Sequence, residues 1–169
     1  ISNCIFLQNS TAAGSGGGAA LRFTNCVLAN CQFIQNEATG PNSVLGGGLS
    51  LGGFGMSGGS VSIEGCTFSQ NSSGNKGGAI NVDSKTKLRI TNSRFQENTA
   101  KAGGALCIED SRTNITVEVA QSVFWDNTAT LGGSGGGGAI WIGAGNSSSK
   151  VSLYVLNSSF CTNYTAFNG

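Results

Sequence analysis

Histidine is absent from the 169 residues, proline occurs once (Pro41), and nine Lys plus Arg are set against eight Asp plus Glu. The lack of histidine removes the commonest general base and the commonest metal ligand. Sparse, balanced charge with no basic block argues against nucleic acid or an acidic membrane surface as partner. No apolar run reaches bilayer length: the longest candidate, "LGGSGGGGAIWIGAG" (131–145), is short and glycine-rich, so no transmembrane span is expected. No Cys-x-x-Cys pair occurs, which with the missing His disfavours zinc, and no cofactor is expected. Residue 1 is Ile rather than Met and already lies inside a repeat, so the reading is a single segment, 1–169, of a longer solenoid or fibre.

What is abundant is glycine, at 28 residues, without the period of three that collagen demands. The glycines take part in a repeat. Phe-x-x-Asn occurs six times, as Phe6/Asn9, Phe33/Asn36, Phe68/Asn71, Phe95/Asn98, Phe124/Asn127 and Phe160/Asn163. Five glycine pairs alternate with these motifs, at 16–17, 46–47, 77–78, 103–104 and 137–138. Period-two apolar patterns follow the pairs (Ala19/Leu21, Leu49/Leu51, Ile80/Val82, Leu106/Ile108, Ile140/Ile142) and precede the phenylalanines ("VSI", "LRI", "TVEV", "VSLYV").

Units this short cannot bury an apolar face alone and must stack on one another. The expected fold is all-β: a right-handed, single-stranded parallel β-helix with three short strands per coil and five to six coils. Equivalent residues would then lie ~4.8 Å apart along the axis. Phenylalanines would fill the lumen, and the asparagines would bond along the axis at a corner. Variable loops fall at 38–45, 52–60, 109–114, 130–136 and 143–150, where they would bulge from the corners.

The motifs carry a resemblance. "GGAI" at 77–80 and 137–140, "GGAL" at 103–106 and the six Phe-x-x-Asn copies resemble the chlamydial polymorphic outer membrane proteins. Similar repeats occur in large surface proteins of algae and other protists. The resemblance spans nearly the whole chain and implies a β-helical, surface-exposed passenger segment that acts as an adhesin. The sequence departs from the chlamydial pattern in carrying no translocator barrel.

Candidate functional residues are few. Asn114 and Asn146 sit in loop-borne Asn-x-Ser/Thr triplets and are glycosylation candidates; four further triplets include ladder positions Asn9, Asn71 and Asn163 as well as Asn157. Cys4, Cys31 and Cys66 share a column continued by Ser93, Ser122 and Ser158, which admits either a disulfide or a file of small buried thiols. Cys26 falls in a core column, and Cys107 lies at the outward phase of its strand, beside Trp141. Trp141 stands in an outward row otherwise made of Ala20, Ser50, Asn81 and Cys107, so it offers either a surface contact or a ring folded under the loop 130–136; Trp125 is a second outward candidate. Glu97 and Asp126 occupy equivalent positions of adjacent coils, and Glu109, Asp110 and Arg112 form a second charged group. These are the carboxylates a pectin-lyase-like lyase or hydrolase would need. Their column is otherwise Gln8, Gln35, Gln70 and Thr162, which reads as a solvated polar row. Threonine forms no Thr-x-Thr array of the kind a flat ice-binding face needs.

The expected function is a non-enzymatic, secreted or cell-surface rod or spacer. Its partners would be flanking β-helix coils or identical subunits end to end, with carbohydrate or a host or cell-surface ligand as a further class. The alternatives are an adhesin passenger-type domain and a polysaccharide lyase or hydrolase.

Overall fold

The computed structural model describes residues 1–22, 25–40, 45–52, 59–83, 86–110, 114–130, 136–144 and 150–166. The chain coils into a parallel β-helix in which four sheets run along the stack. The first sheet carries the phenylalanines: Ile5–Leu7, Gln32–Ile34, Thr67–Ser69, Arg94–Gln96, Val123–Trp125 and Ser159–Cys161. The second follows the asparagines: Ser10–Thr11, Glu37–Ala38, Ser72–Lys76, Thr99–Ala102, Thr128–Ala129 and Tyr164–Thr165. The third follows the glycine pairs: Ala19–Leu21, Leu49–Leu51, Ile80–Asp83, Leu106–Asp110 and Ile140–Ala144. The fourth leads back to phenylalanine: Cys26–Ala29, Gly59–Glu64, Thr86–Thr91, Ile115–Ala120 and Val151–Leu156.

Each coil thus has four strands where the pattern predicts three. The second-sheet strands are as short as two residues and bury only a small residue, such as Ala38, Ala100 or Ala129. Such a segment has no apolar alternation from which a strand could be read. The sheets are otherwise in the register that the repeats imply. Phe6 pairs with Phe33, Phe33 with Phe68, Phe68 with Phe95, Phe95 with Phe124, and Phe124 with Phe160. Their rings stack with centroids 4.4 to 5.0 Å apart and planes within 5° of parallel. The strand spacing imposes this parallel stack. The four central rings are fully buried, among Leu49, Leu51, Ile80, Leu106, Ile63, Ile90 and Val119 of the third and fourth sheets.

Two corner rows bracket the phenylalanine sheet, and both bend through the left-handed region. One is Asn3, Asn30, Gly65, Asn92, Gln121 and Asn157; the other is Gln8, Gln35, Gln70, Glu97, Asp126 and Thr162. Asparagine and glycine tolerate this conformation best, which accounts for the first row's composition. At the opposite corner, Gly77 has φ +65°, and a Cβ on Gly78 would lie 2.1 Å from the Gly104 carbonyl oxygen. The glycine pairs repeat because adjacent coils touch there, backbone on backbone.

Asparagine ties the coils together between these corners. Asn71 Nδ2 donates to Asn98 Oδ1 at 3.0 Å and to the Phe33 carbonyl at 2.8 Å. Its Oδ1 accepts from both the backbone N–H and the Nδ2 of Asn36, each at 3.0 Å. The same arrangement continues through Asn98 and Asn127 to Asn163. Asn36, Asn71, Asn98 and Asn127 are fully buried, and their amides are all paired. Buried amides would be costly here without that pairing.

Candidate functional site

The columns fix where each candidate side chain stands. Cys4, Cys31 and Cys66 are unbridged, and each thiol donates to the carbonyl two residues earlier: Ser2, Ala29 and Glu64. Ser93, Ser122 and Ser158 do the same through their hydroxyls. Cys31 N–H bonds Cys66 Sγ at 3.4 Å, and Cys66 N–H bonds Ser93 Oγ at 3.1 Å, so thiol and hydroxyl play one role at this corner. Burial, above all, raises the Cys66 thiol above its ordinary pKa. Cys26 is half-buried against the core, and Cys161 is exposed.

Glu97 and Asp126 belong to the second left-handed row. Gln8 Nε2 donates to Gln35 Oε1, Gln35 Nε2 to Gln70 Oε1, and Gln70 Nε2 to Glu97 Oε2 at 2.7 Å. The carboxylate therefore ends an exposed amide ladder. Of the second charged group, Glu109 is described and pairs with Lys76, whereas Arg112 and the side chain of Asp110 lie outside the described residues. Among the described residues no three His, Cys, Asp or Glu side chains converge as metal ligands, and no helix is long and apolar enough to cross a membrane. Asn114 is exposed just before the strand Ile115–Ala120, while Asn146 lies outside the described residues. Trp125 is 37% exposed, with the Arg94 guanidinium 5.7 Å from a ring centroid.

The chemically dense region is the outward face of the third sheet. Register aligns Ala20, Ser50, Asn81, Cys107 and Trp141 across it, with Asp83, Glu109 and Gly143 in the next outward row. The outward phase does not leave these side chains in solvent: Ser50, Asn81 and Cys107 are all buried. Lys76, at the end of the strand Ser72–Lys76, reaches across this face. Its ammonium lies 5.6 Å from the Trp141 ring centroid and forms an ion pair with Glu109. The indole extends along its strand so that a Cβ on Gly143 would meet its Cη2 at 2.2 Å. Gly143 thus provides the bed for the ring. Trp141 is half-buried, with Lys76 rather than open solvent over it; residues 131–135 of the loop expected above it lie outside the described residues.

Beneath this arrangement, burial drives the Cys107 thiol well above its ordinary pKa, and the Glu109 carboxylate adds to the effect against Lys76. Such a thiol is a poor nucleophile. Sequence reasoning found Trp141 but missed Lys76 and Asn81. Lys76 gives no periodic signal, because its partners lie one and two coils further on.

Comparison with known proteins agrees with this architecture. The chain is 30% identical over 134 residues to a metabotropic glutamate receptor-like protein R of Dictyostelium discoideum, covering 79% of this chain and 8% of that protein. It therefore corresponds to a small part of that relative. No solved structure matches it significantly. The family model described as a right-handed beta helix region matches residues 1–160, and the chain belongs to that family.

Proposed function

We propose that this chain is a non-enzymatic β-helical rod, a spacer segment of a secreted or cell-surface protein that stacks end to end on further coils of its own kind. The observation that carries this reading is the unbroken pair of ladders, phenylalanine and asparagine, through all six coils. They make a stiff, extendable stack. The ladder is also directional. In the first coil Asn9 offers its Oδ1 as the acceptor that every later coil uses, and in the last Asn163 offers its N–H as the matching donor. Phe160, at 44% exposure, presents an apolar ring beside it. Flanking coils of the same chain or an identical subunit would satisfy both ends.

A surface location draws support from the receptor-like name of the relative, the likeness to chlamydial and protist surface repeats, and the exposed Asn114 triplet. Against pectin-lyase-like catalysis stands the corner role of Glu97, whose carboxylate receives the Gln70 amide. Analytical ultracentrifugation and electron microscopy of the chain test the rod: concentration-dependent filaments are expected, and Phe160→Asp should abolish them. A monomer at every concentration tested would overturn stacking between identical subunits. Turnover of a polyuronate that disappears in Glu97→Gln would overturn the non-enzymatic reading.

A further inference from the structure

Asn81 stands at the middle of its outward row, paired in register with Ser50 on one side and Cys107 on the other. It is 1% exposed, and among the described residues neither its Oδ1 nor its Nδ2 has a hydrogen-bond partner. An unpaired buried amide is a liability that the row does not impose, since the equivalent positions hold Ala, Ser, Cys and Trp. A buried amide that breaks the local rule without structural gain calls for a partner from outside the chain.

Its surroundings narrow what that is. Trp141 lies two positions along the row, its indole seated on Gly143. Asp83 and Glu109 are register partners on the adjacent outward row. Lys76 reaches across the face to Glu109 and the indole, one and two coils further on. The Lys76 and Glu109 side chains keep 25% and 32% exposure, so the strap they form borders solvent.

We infer that this face binds an N-acetylated saccharide, whose acetamido group pairs with the Asn81 carboxamide while its sugar ring replaces the Lys76 ammonium on Trp141. A carboxamide offers one acceptor and donor hydrogens, and an acetamido group returns one N–H and one carbonyl. The C–H face of a pyranose suits an indole face. Its hydroxyls can donate to the Glu109 carboxylate that Lys76 vacates. An apolar ligand would leave the amide unpaired, and a peptide amide would make no use of the carboxylate rim. This function goes beyond the rod reading and does not depend on end-to-end stacking.

Trp125→Phe leaves Trp141 as the single indole of a chain with two tryptophans. Titrating that variant with tri-N-acetylchitotriose should change Trp141 emission saturably. Adding Asn81→Leu should weaken binding about tenfold or more while holding or raising the thermal midpoint, because an unpaired buried amide is removed. Lys76→Ala should tighten binding about threefold, because the saccharide no longer displaces the ammonium. Four results would each overturn the inference: no saturable change, equal binding by the Asn81→Leu variant, a lowered midpoint in that variant, or an equal response to cellotriose, which lacks the acetamido group. An equal response to N-acetylalanine methylamide would also overturn it, by assigning the face to a peptide.

Discussion

Asn71 and Asn81 are ten residues apart and both buried, yet they live under opposite rules. Asn71 sits at a corner where the coils above and below supply its partners, and its amide is fully paired. Asn81 sits on an outward row where the neighbouring coils supply Ser50 and Cys107, and it has no partner among the described residues. Stacking identical residues solves the problem of the buried amide; stacking different residues leaves it open. In a β-helix, then, what recurs from coil to coil explains the fold, and what does not recur is where a separate role can be sought.

The sharpest way to break this contrast is to disturb what recurs. Gly78→Ala would place a Cβ 2.1 Å from the Gly104 carbonyl oxygen and 2.6 Å from Thr99 backbone atoms, which no rotamer can relieve. Its soluble, folded yield at 37 °C is expected to fall to near zero. Asn71→Ala leaves the Asn36 N–H and an Asn36 amide hydrogen without partners and takes one donor from the Phe33 carbonyl, and should cost about 3–5 kcal/mol in urea unfolding. Phe95→Ala opens a hole in the ring stack, with an expected loss of about 3–5 kcal/mol by the same measurement.

Smaller effects belong to the outward row. The Cys107 thiol is raised by burial above its ordinary value of 9.0, so the folded state keeps its proton where the unfolded chain releases it. Stability from this group is complete below that value and declines as pH rises above it. The thermal midpoint of wild type should therefore drop more steeply between pH 8.5 and 10.5 than that of Cys107→Ala. At the bottom of the scale is Arg89→Ala, which removes an exposed 3.2 Å pair with Glu118 and should change stability by no more than about 0.5 kcal/mol.

How much of this is legible in the sequence follows from the same contrast. Phenylalanine, asparagine and glycine columns stand out in a single chain because each copy vouches for the others. The second-sheet strands did not stand out, since segments such as Glu37–Ala38 and Thr128–Ala129 are held in place by backbone pairing and not by a side-chain pattern. The left-handed φ of Glu97 and Asp126 was equally hidden, because their column mixes Gln, Glu, Asp and Thr. The Lys76 strap could not be read at all. Its partners Glu109 and Trp141 are 33 and 65 positions away, and only the coiling brings the three together.

The intervals between successive ladder asparagines, 27, 35, 27, 29 and 36 residues, have one more consequence. Chain can be added between motifs without touching the ladders, but the ladders themselves accept change only as whole turns. Duplicating or excising one complete turn joins a phenylalanine to a phenylalanine and an amide to an amide, leaving no mismatched seam. A molecule built this way lengthens like a ruler, in indivisible graduations, and recombination between its own repeats is a mutational step to which the architecture is nearly blind.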